Sequence, residues 1–331
     1  MSDLSVERQD RVEPAVRVIS LLPAATEIVA SLGMLDALVG ISHECDYPQE
    51  VNRKPRVTHC EIHGAGLPSA GVDRWVRERL RSSGTLYTLD EDLVRRLRPD
   101  AILTQRLCDV CAVAYGTVAR FAATLPGPPR VVNLEPSSLA DILRDIRAVG
   151  EALSVPERAD AVVAALVGRI EAVRQRARAA PPHRCVLLEW IDPPFCTGHW
   201  GPELVEIAGG VEPIGRRGSD AVAIPWDAVL QASPDVLVVA CCGYSIDRTL
   251  ADLPILRSRP GFGSLPAVRR GEVYVVDGSA YFSRPGPRIV DSLEILAHAL
   301  HPDVHPLPAG LPAPVRVNDS AVGNRASGVV F

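Results

Sequence analysis

The chain has 331 residues, 47% of them hydrophobic, with 35 Lys and Arg against 40 Asp and Glu, for a net charge of −5. That length supports two lobes with cores of their own, and the mildly acidic balance argues against a broad basic face for nucleic acid. No apolar run is long enough to span a bilayer, so membrane insertion is not expected.

The opening residues MSDLSVERQDRVEPAV are polar and lack the apolar segment of a secretory signal, which points to a cytoplasmic protein. The eight Cys then sit in a reducing compartment, where disulfides are the less expected use. Residues 1–15 are expected to be disordered. Residues 16–22 (VRVISLL) read as a buried strand, and residues 24–32 as a helix closed by Gly33. A second strand over 37–41 runs into the polar loop from Ser42 to Pro48. Further strands are expected over 56–58, 85–89, 101–104 and 130–134, with helices over 72–81, 91–97 and up to about 124. The strand over 101–104 enters Gln105 and then Cys108-Asp-Val-Cys111. An amphipathic helix over 138–153 follows.

Residues 154–180 read as one long helix. Ser154 and Glu157 have capping-box spacing, and Ala159, Val162, Val163, Leu166, Ile170 and Val173 share one face. Pro181 and Pro182 stop it. Such a helix is roughly 40 Å long, the span of a small domain.

Beyond it the alternation resumes. Strands are expected over 185–191, 235–240 and 272–276, the last of the chain, and helices over 203–208, 226–232 and 289–300. From His301 the sequence is rich in Pro and Ala without periodicity, and its end is expected to be disordered. The expected organisation is an α/β protein of two Rossmann-like lobes, residues 16–137 and 183–302. Linking helices over 138–182 join them, a Pro-rich tail covers 303–331, and a ligand cleft lies between the lobes.

The polar clusters share a position, each at the C-terminal end of an expected strand, where open α/β sheets bind ligands. His43, Glu44, Cys45 and Tyr47 come from one loop, Gln105, Cys108 and Cys111 from another. Glu189, Trp190 and Trp200 come from a third, Cys241, Cys242 and Tyr244 from a fourth, and residues 281–288, with Tyr281, Arg284 and Arg288, form a further wall. His43, Cys45, Cys108, Cys111, Cys241 and Cys242 are of the types that hold zinc or iron if the cleft brings them together. Cys108 and Cys111 alone have the spacing of a redox dithiol. The aromatic loops suit a large, flat, partly apolar ligand. No Walker loop, GxGxxG after the first strand, HExxH or GxSxG occurs, so no nucleotide-dependent or hydrolytic reading has a motif behind it.

Residues 18–33 (VISLLPAATEIVASLG), 38–48 (LVGISHECDYP), 99–105 (PDAILTQ), 234–239 (PDVLVV) and 284–288 (RPGPR) resemble the cobalamin-binding branch of the periplasmic iron/cobalamin-binding protein family. The resemblance covers about residues 16–300, and the His43/Cys45 and Cys108/Cys111 sets look like a cytosolic subgroup without a signal peptide. It implies helical-backbone substrate-binding proteins that hold a ligand between lobes, move little on binding and commonly serve an ABC permease. It further implies that Pro23 and Ala24 in the turn up to Thr26, Tyr47 and the loop from Trp190 to Trp200 touch a corrinoid, with Glu189 and Arg284 at its amide rim. Three readings stand open. The first is non-enzymatic binding of cobalamin or a related corrinoid or metal chelate. The second is a metal protein using zinc or iron, and the last a thiol oxidoreductase.

Overall fold

Short runs of buried apolar residues become the strands of two largely parallel sheets, and these organise the molecule. The computed structural model describes residues 16–60, 66–106 and 115–317. The expectations for residues 1–15, for Cys108 and Cys111, and for the chain beyond 317 lie outside the described residues.

In the first lobe β1 (Val18–Ser20) leads into α1 (Pro23–Ser31) and β2 (Leu38–Ile41). Then come β3 (Thr58–Cys60), α2 (Ser69–Ser83), β4 (Tyr87–Leu89), α3 (Glu91–Leu97), β5 (Ala101–Gln105), α4 (Tyr115–Ala122) and β6 (Arg130–Leu134). The main sheet runs β2-β1-β5-β6, all parallel. Strands buried on both faces read as continuous apolar runs, which is why they were legible. The strand expected over 56–58 instead covers 58–60 and pairs antiparallel with β4 in a separate ribbon. Arg56 makes only an isolated bridge to Ile41.

The lobes are joined by α5 (Leu139–Ala152) and α6 (Pro156–Ala177). The capping box expected at Ser154 is not there. Ser154 has φ +60 and its N–H bonds the Glu151 carbonyl, while Val155 N–H bonds Gly150 O at 2.8 Å. Ser154 therefore closes α5 rather than opening α6, whose N-cap is Val155 without a side-chain bond. The side-chain cap lies one helix earlier, where Ser138 Oγ accepts Asp141 N–H at 3.2 Å. With 22 residues α6 is about 33 Å long, shorter than expected.

The second lobe holds β7 (His183–Trp190), β8 (Phe195–Cys196), α7 (Gly201–Ile207), β9 (Gly210–Val211), α8 (Trp226–Ala232), β10 (Val236–Val239), α9 (Ile246–Arg257), α10 (Pro266–Arg269), β11 (Val273–Val275), α11 (Ile289–Leu300) and β12 (Val315–Arg316). Its sheet runs β12-β11-β10-β7-β8, with β9 beside β7. The strand at 273–275 is not the last, because β12 adds antiparallel to it, and residues 301–317 pack on the lobe rather than trailing away.

One apolar core runs through both lobes. It includes Ile28 and Leu38 of the first, Val163 and Ile170 of α6, and Leu187 and Leu293 of the second. Arg158 of α6 donates to the Leu32 carbonyl at 3.2 Å, and Arg169 reaches Asp291 at 2.5 Å and Glu294 at 2.6 Å on α11. Glu203 of α7 accepts the Leu139 N–H at the start of α5, at 3.0 Å. The lobes are thus tied through the linking helices as well as across the seam. Among the described residues no helix is long and apolar enough to cross a membrane.

Candidate functional site

Both sheets send loops from the C-terminal ends of their strands to one seam. α1 has a carboxylate, Glu27, among buried Ala24, Ala25, Thr26, Ile28 and Val29. Glu27 is itself only 3% exposed, so its charge must be paired. The partners come from the second lobe. Arg288 grips Glu27 with Nε at 3.0 Å and Nη2 at 2.7 Å, and Arg284 Nη1 lies 3.1 Å from the same carboxylate. Arg284 also forks onto Asp46 of the β2 loop, at 2.5 and 3.1 Å. Burial disfavours the Arg284 charge, but Asp46 and Glu27 outweigh it and raise its pKa. Partial burial pushes the Asp46 carboxyl up, yet the Arg284 hydrogen bonds and charge hold it below its ordinary value.

Aromatic rings flank this ionic seam. The Arg288 guanidinium lies 3.9 Å over the Tyr47 ring and 5.0 Å from the Tyr281 ring. Tyr47 belongs to the first lobe, is 47% exposed, and faces out of the seam. In the second lobe the Trp190 and Tyr244 rings meet at 4.7 Å, and Arg248 lies 4.4 Å over Tyr244. Burial pushes the Tyr244 hydroxyl up to about 12. Arg248 then crosses to the Leu67 carbonyl at 2.5 Å, while Asp252 accepts the Ser69 N–H that opens α2, at 2.8 Å. The first lobe is therefore held to the second at two places, one beside each aromatic pair.

The other expected site residues divide. His43 is half-buried, with Nδ1 2.7 Å from Thr58 Oγ1 and Nε2 3.3 Å from Glu44. Burial pulls its pKa down, but hydrogen bonds with Cys60 and Glu44 outweigh this and bring it up to about 9. One Glu189 carboxylate oxygen accepts the Thr197 hydroxyl at 2.6 Å and the Gly198 N–H at 3.0 Å, and burial pushes its pKa up. Trp200 is 8% exposed and donates its indole N–H to the Phe282 carbonyl at 3.1 Å. Beside these side chains, within the second lobe, lies a cavity of about 10 Å³, room for no more than one water. Ala24 is buried against Gly286, where an added Cβ would lie 3.2 Å from the Ala24 carbonyl; Pro23 beside it is half-buried. Gln105 is 5% exposed at the end of β5.

The described thiols of the expected set, Cys45, Cys241 and Cys242, are not brought together. Cys45 is fully buried, bonded to Thr26 Oγ1 at 3.0 Å, and pushed up to about 11 by burial. Cys241 is pushed up to about 12 by burial and belongs to a different core cluster. Cys242 beside it is exposed. Cys45 and Cys241 therefore lie in separate cores, one thiol in each lobe. Among the described residues no three His, Cys, Asp or Glu side chains stand close enough to hold a metal ion, His43 included.

Glu27, Arg248 and Asp252 were not singled out from sequence, whereas Asp46 and Arg288 lie within the loop from Ser42 and the wall that ends at Arg288. Glu27 had a signal, a lone carboxylate in an otherwise apolar helical run. Its partners lie 257 and 261 positions away, a pairing no local pattern carries.

Comparison with known proteins agrees with this architecture. A family model described as periplasmic binding protein matches residues 18–280. The chain belongs to that family. A vitamin B12-binding protein of Vibrio cholerae is 23% identical over 285 residues, 85% of this chain and 87% of its own length. An ABC transporter substrate-binding lipoprotein of Bacillus subtilis is 21% identical over 312 residues, 91% and 83% respectively. Among solved structures, a periplasmic heme-binding protein of Pseudomonas aeruginosa superposes with a TM-score of 0.67 at 20% identity, covering 91% of this chain and 99% of that one. The Vibrio cholerae vitamin B12-binding protein gives 0.63 at 21% identity, covering 87% and 97%. These are substrate-binding proteins rather than enzymes, and this chain is of the same solute-binding type.

Two outcomes follow for the seam. Glu27→Ala takes the shared carboxylate from the buried Arg284 and the half-buried Arg288, and is expected to cost about 3–5 kcal/mol in urea unfolding, as for a broken buried pair. The His43 pKa is raised in the folded protein, so its ionic contacts stabilise fully below about 6.5 and fade as pH rises through about 9. Melting curves should show His43→Gln less stable than wild type at about pH 6.5, with the gap closing by about pH 10.

Proposed function

We propose that the chain binds a corrinoid, cobalamin foremost, at the outer mouth of the seam between its lobes, as the solute-binding partner of an ABC permease. The observation that carries this reading is the pair of aromatic clusters at the strand ends. Tyr47 and Tyr281 frame Arg288 at one end, and Trp190 and Tyr244 lie beside Arg248 at the other. A large flat ligand with an apolar face and a polar amide rim matches rings alternating with guanidiniums. The vitamin B12-binding relatives support the corrinoid, and the lipoprotein relative supports the permease. Heme is the second reading, favoured by the heme-binding proteins that share the fold.

Titration of the purified chain with hydroxocobalamin, and separately with hemin, tests it by the visible spectrum. Saturable binding of hydroxocobalamin is expected, weakened at least tenfold, or about 1.4 kcal/mol, in Tyr47→Ala and in Trp190→Ala. Saturation by hemin alone moves the assignment to heme. No saturation with either contradicts the reading.

A further inference from the structure

Four of the chain's eight histidines gather away from the seam, at the base of the second lobe. His183 opens β7, His298 lies in the last turn of α11, His301 is the C-cap of that helix, and His305 follows it. The His183 and His301 rings stack with centroids 4.8 Å apart and planes 26° apart, and the His305 ring lies 6.4 Å from His301. His298 Nδ1 is 2.8 Å from the His305 carbonyl.

The packing is specific. His301 Nε2 lies 3.1 Å from the Gly209 carbonyl, so that nitrogen carries the proton of this bond. Gly209 has φ +91, and a Cβ there would fall 3.0 Å from that nitrogen, so the approach needs glycine. His305 is 2% exposed, and neither of its ring nitrogens has a hydrogen-bond partner among the described residues. Stacked rings present their faces rather than converging lone pairs, in keeping with the lack of a metal-binding group here among the described residues.

We propose that this histidine cluster is an acid-sensitive latch, holding residues 301–317 on the second lobe while its rings are neutral and releasing them once the rings gain protons. That segment carries β12, the edge strand on β11, and Leu307 and Leu311, which pack on the shared core. The charged or titratable groups acting on the two inner rings are all basic: Arg176 from α6, His298 from α11 and His183 from β7. A proton on His305 would put a second N–H and a positive charge into a buried, partnerless place. Burial, first, and then these neighbours lower the pKa of His305 below 6.5. Burial and His183 do the same for His301 against the opposing bond to Gly209. The folded state therefore favours neutral rings, so their stabilisation is present above about 6.5 and is lost as pH falls below it.

Amide hydrogen exchange of residues 301–317 in the full chain, corrected for the intrinsic pH dependence, tests this at about pH 7.5 and about pH 5.5. Wild type should exchange there at least tenfold faster at the lower pH. His305→Leu, which cannot take a proton, should reduce that rise at least threefold. If His305→Leu does not fold, His301→Gln, which keeps a donor for the Gly209 carbonyl, carries the same expectation. An undiminished rise in the folded variant overturns the latch. Stoichiometric zinc in wild type that is lost in His305→Leu overturns it too, in favour of a metal centre.

Discussion

A single buried carboxylate decides how the halves of this protein sit. Glu27 is almost without solvent contact and belongs to the first lobe, while Arg284 and Arg288, which neutralise it, belong to the second. Moving the lobes apart would break the charge-assisted contacts of Glu27 with Arg284 and Arg288, while removing either partner in the closed seam would leave the buried Glu27 charge uncompensated. Asp46, more exposed, gives Arg284 a second anchor from the β2 loop.

The remaining architecture works in the same direction. The apolar core passes through α6 from one lobe to the other, and Arg158, Arg169 and Glu203 tie the linking helices on both sides. Asp252 caps the start of α2 from across the seam. Arg288 both neutralises Glu27 and lies over Tyr47 and Tyr281, so the charge that holds the lobes also sets the rings. A binding surface built on such a frame is pre-organised, and its ligand spends little free energy on ordering it.

The sequence carried the fold far better than the site. Residues 91–97, 130–134, 226–232 and 289–300 have the bounds expected of them, because continuous apolar runs and helical periodicity report burial directly. Ser154 misled because a Ser-x-x-Glu spacing is common, and only the backbone tells a helix start from the preceding helix's end. α9 was overlooked because Pro254 interrupts its pattern, and β12 because two residues carry no periodicity. In the site, the aromatic loops stood out as rare residue types at strand ends. Burial, which separates Trp200 from Tyr47, depends on contacts between distant segments. So does the separation of Cys45 from Cys241.

The central claim is that the lobes keep one fixed spacing. Pulsed dipolar spectroscopy between spin labels carried by unnatural residues at the exposed positions Asp92 on α3 and Asp247 on α9 measures it directly. The account predicts one narrow distance distribution, the same with and without saturating hydroxocobalamin. A broad distribution in the free protein, or a distance that shifts on adding the corrinoid, would contradict it.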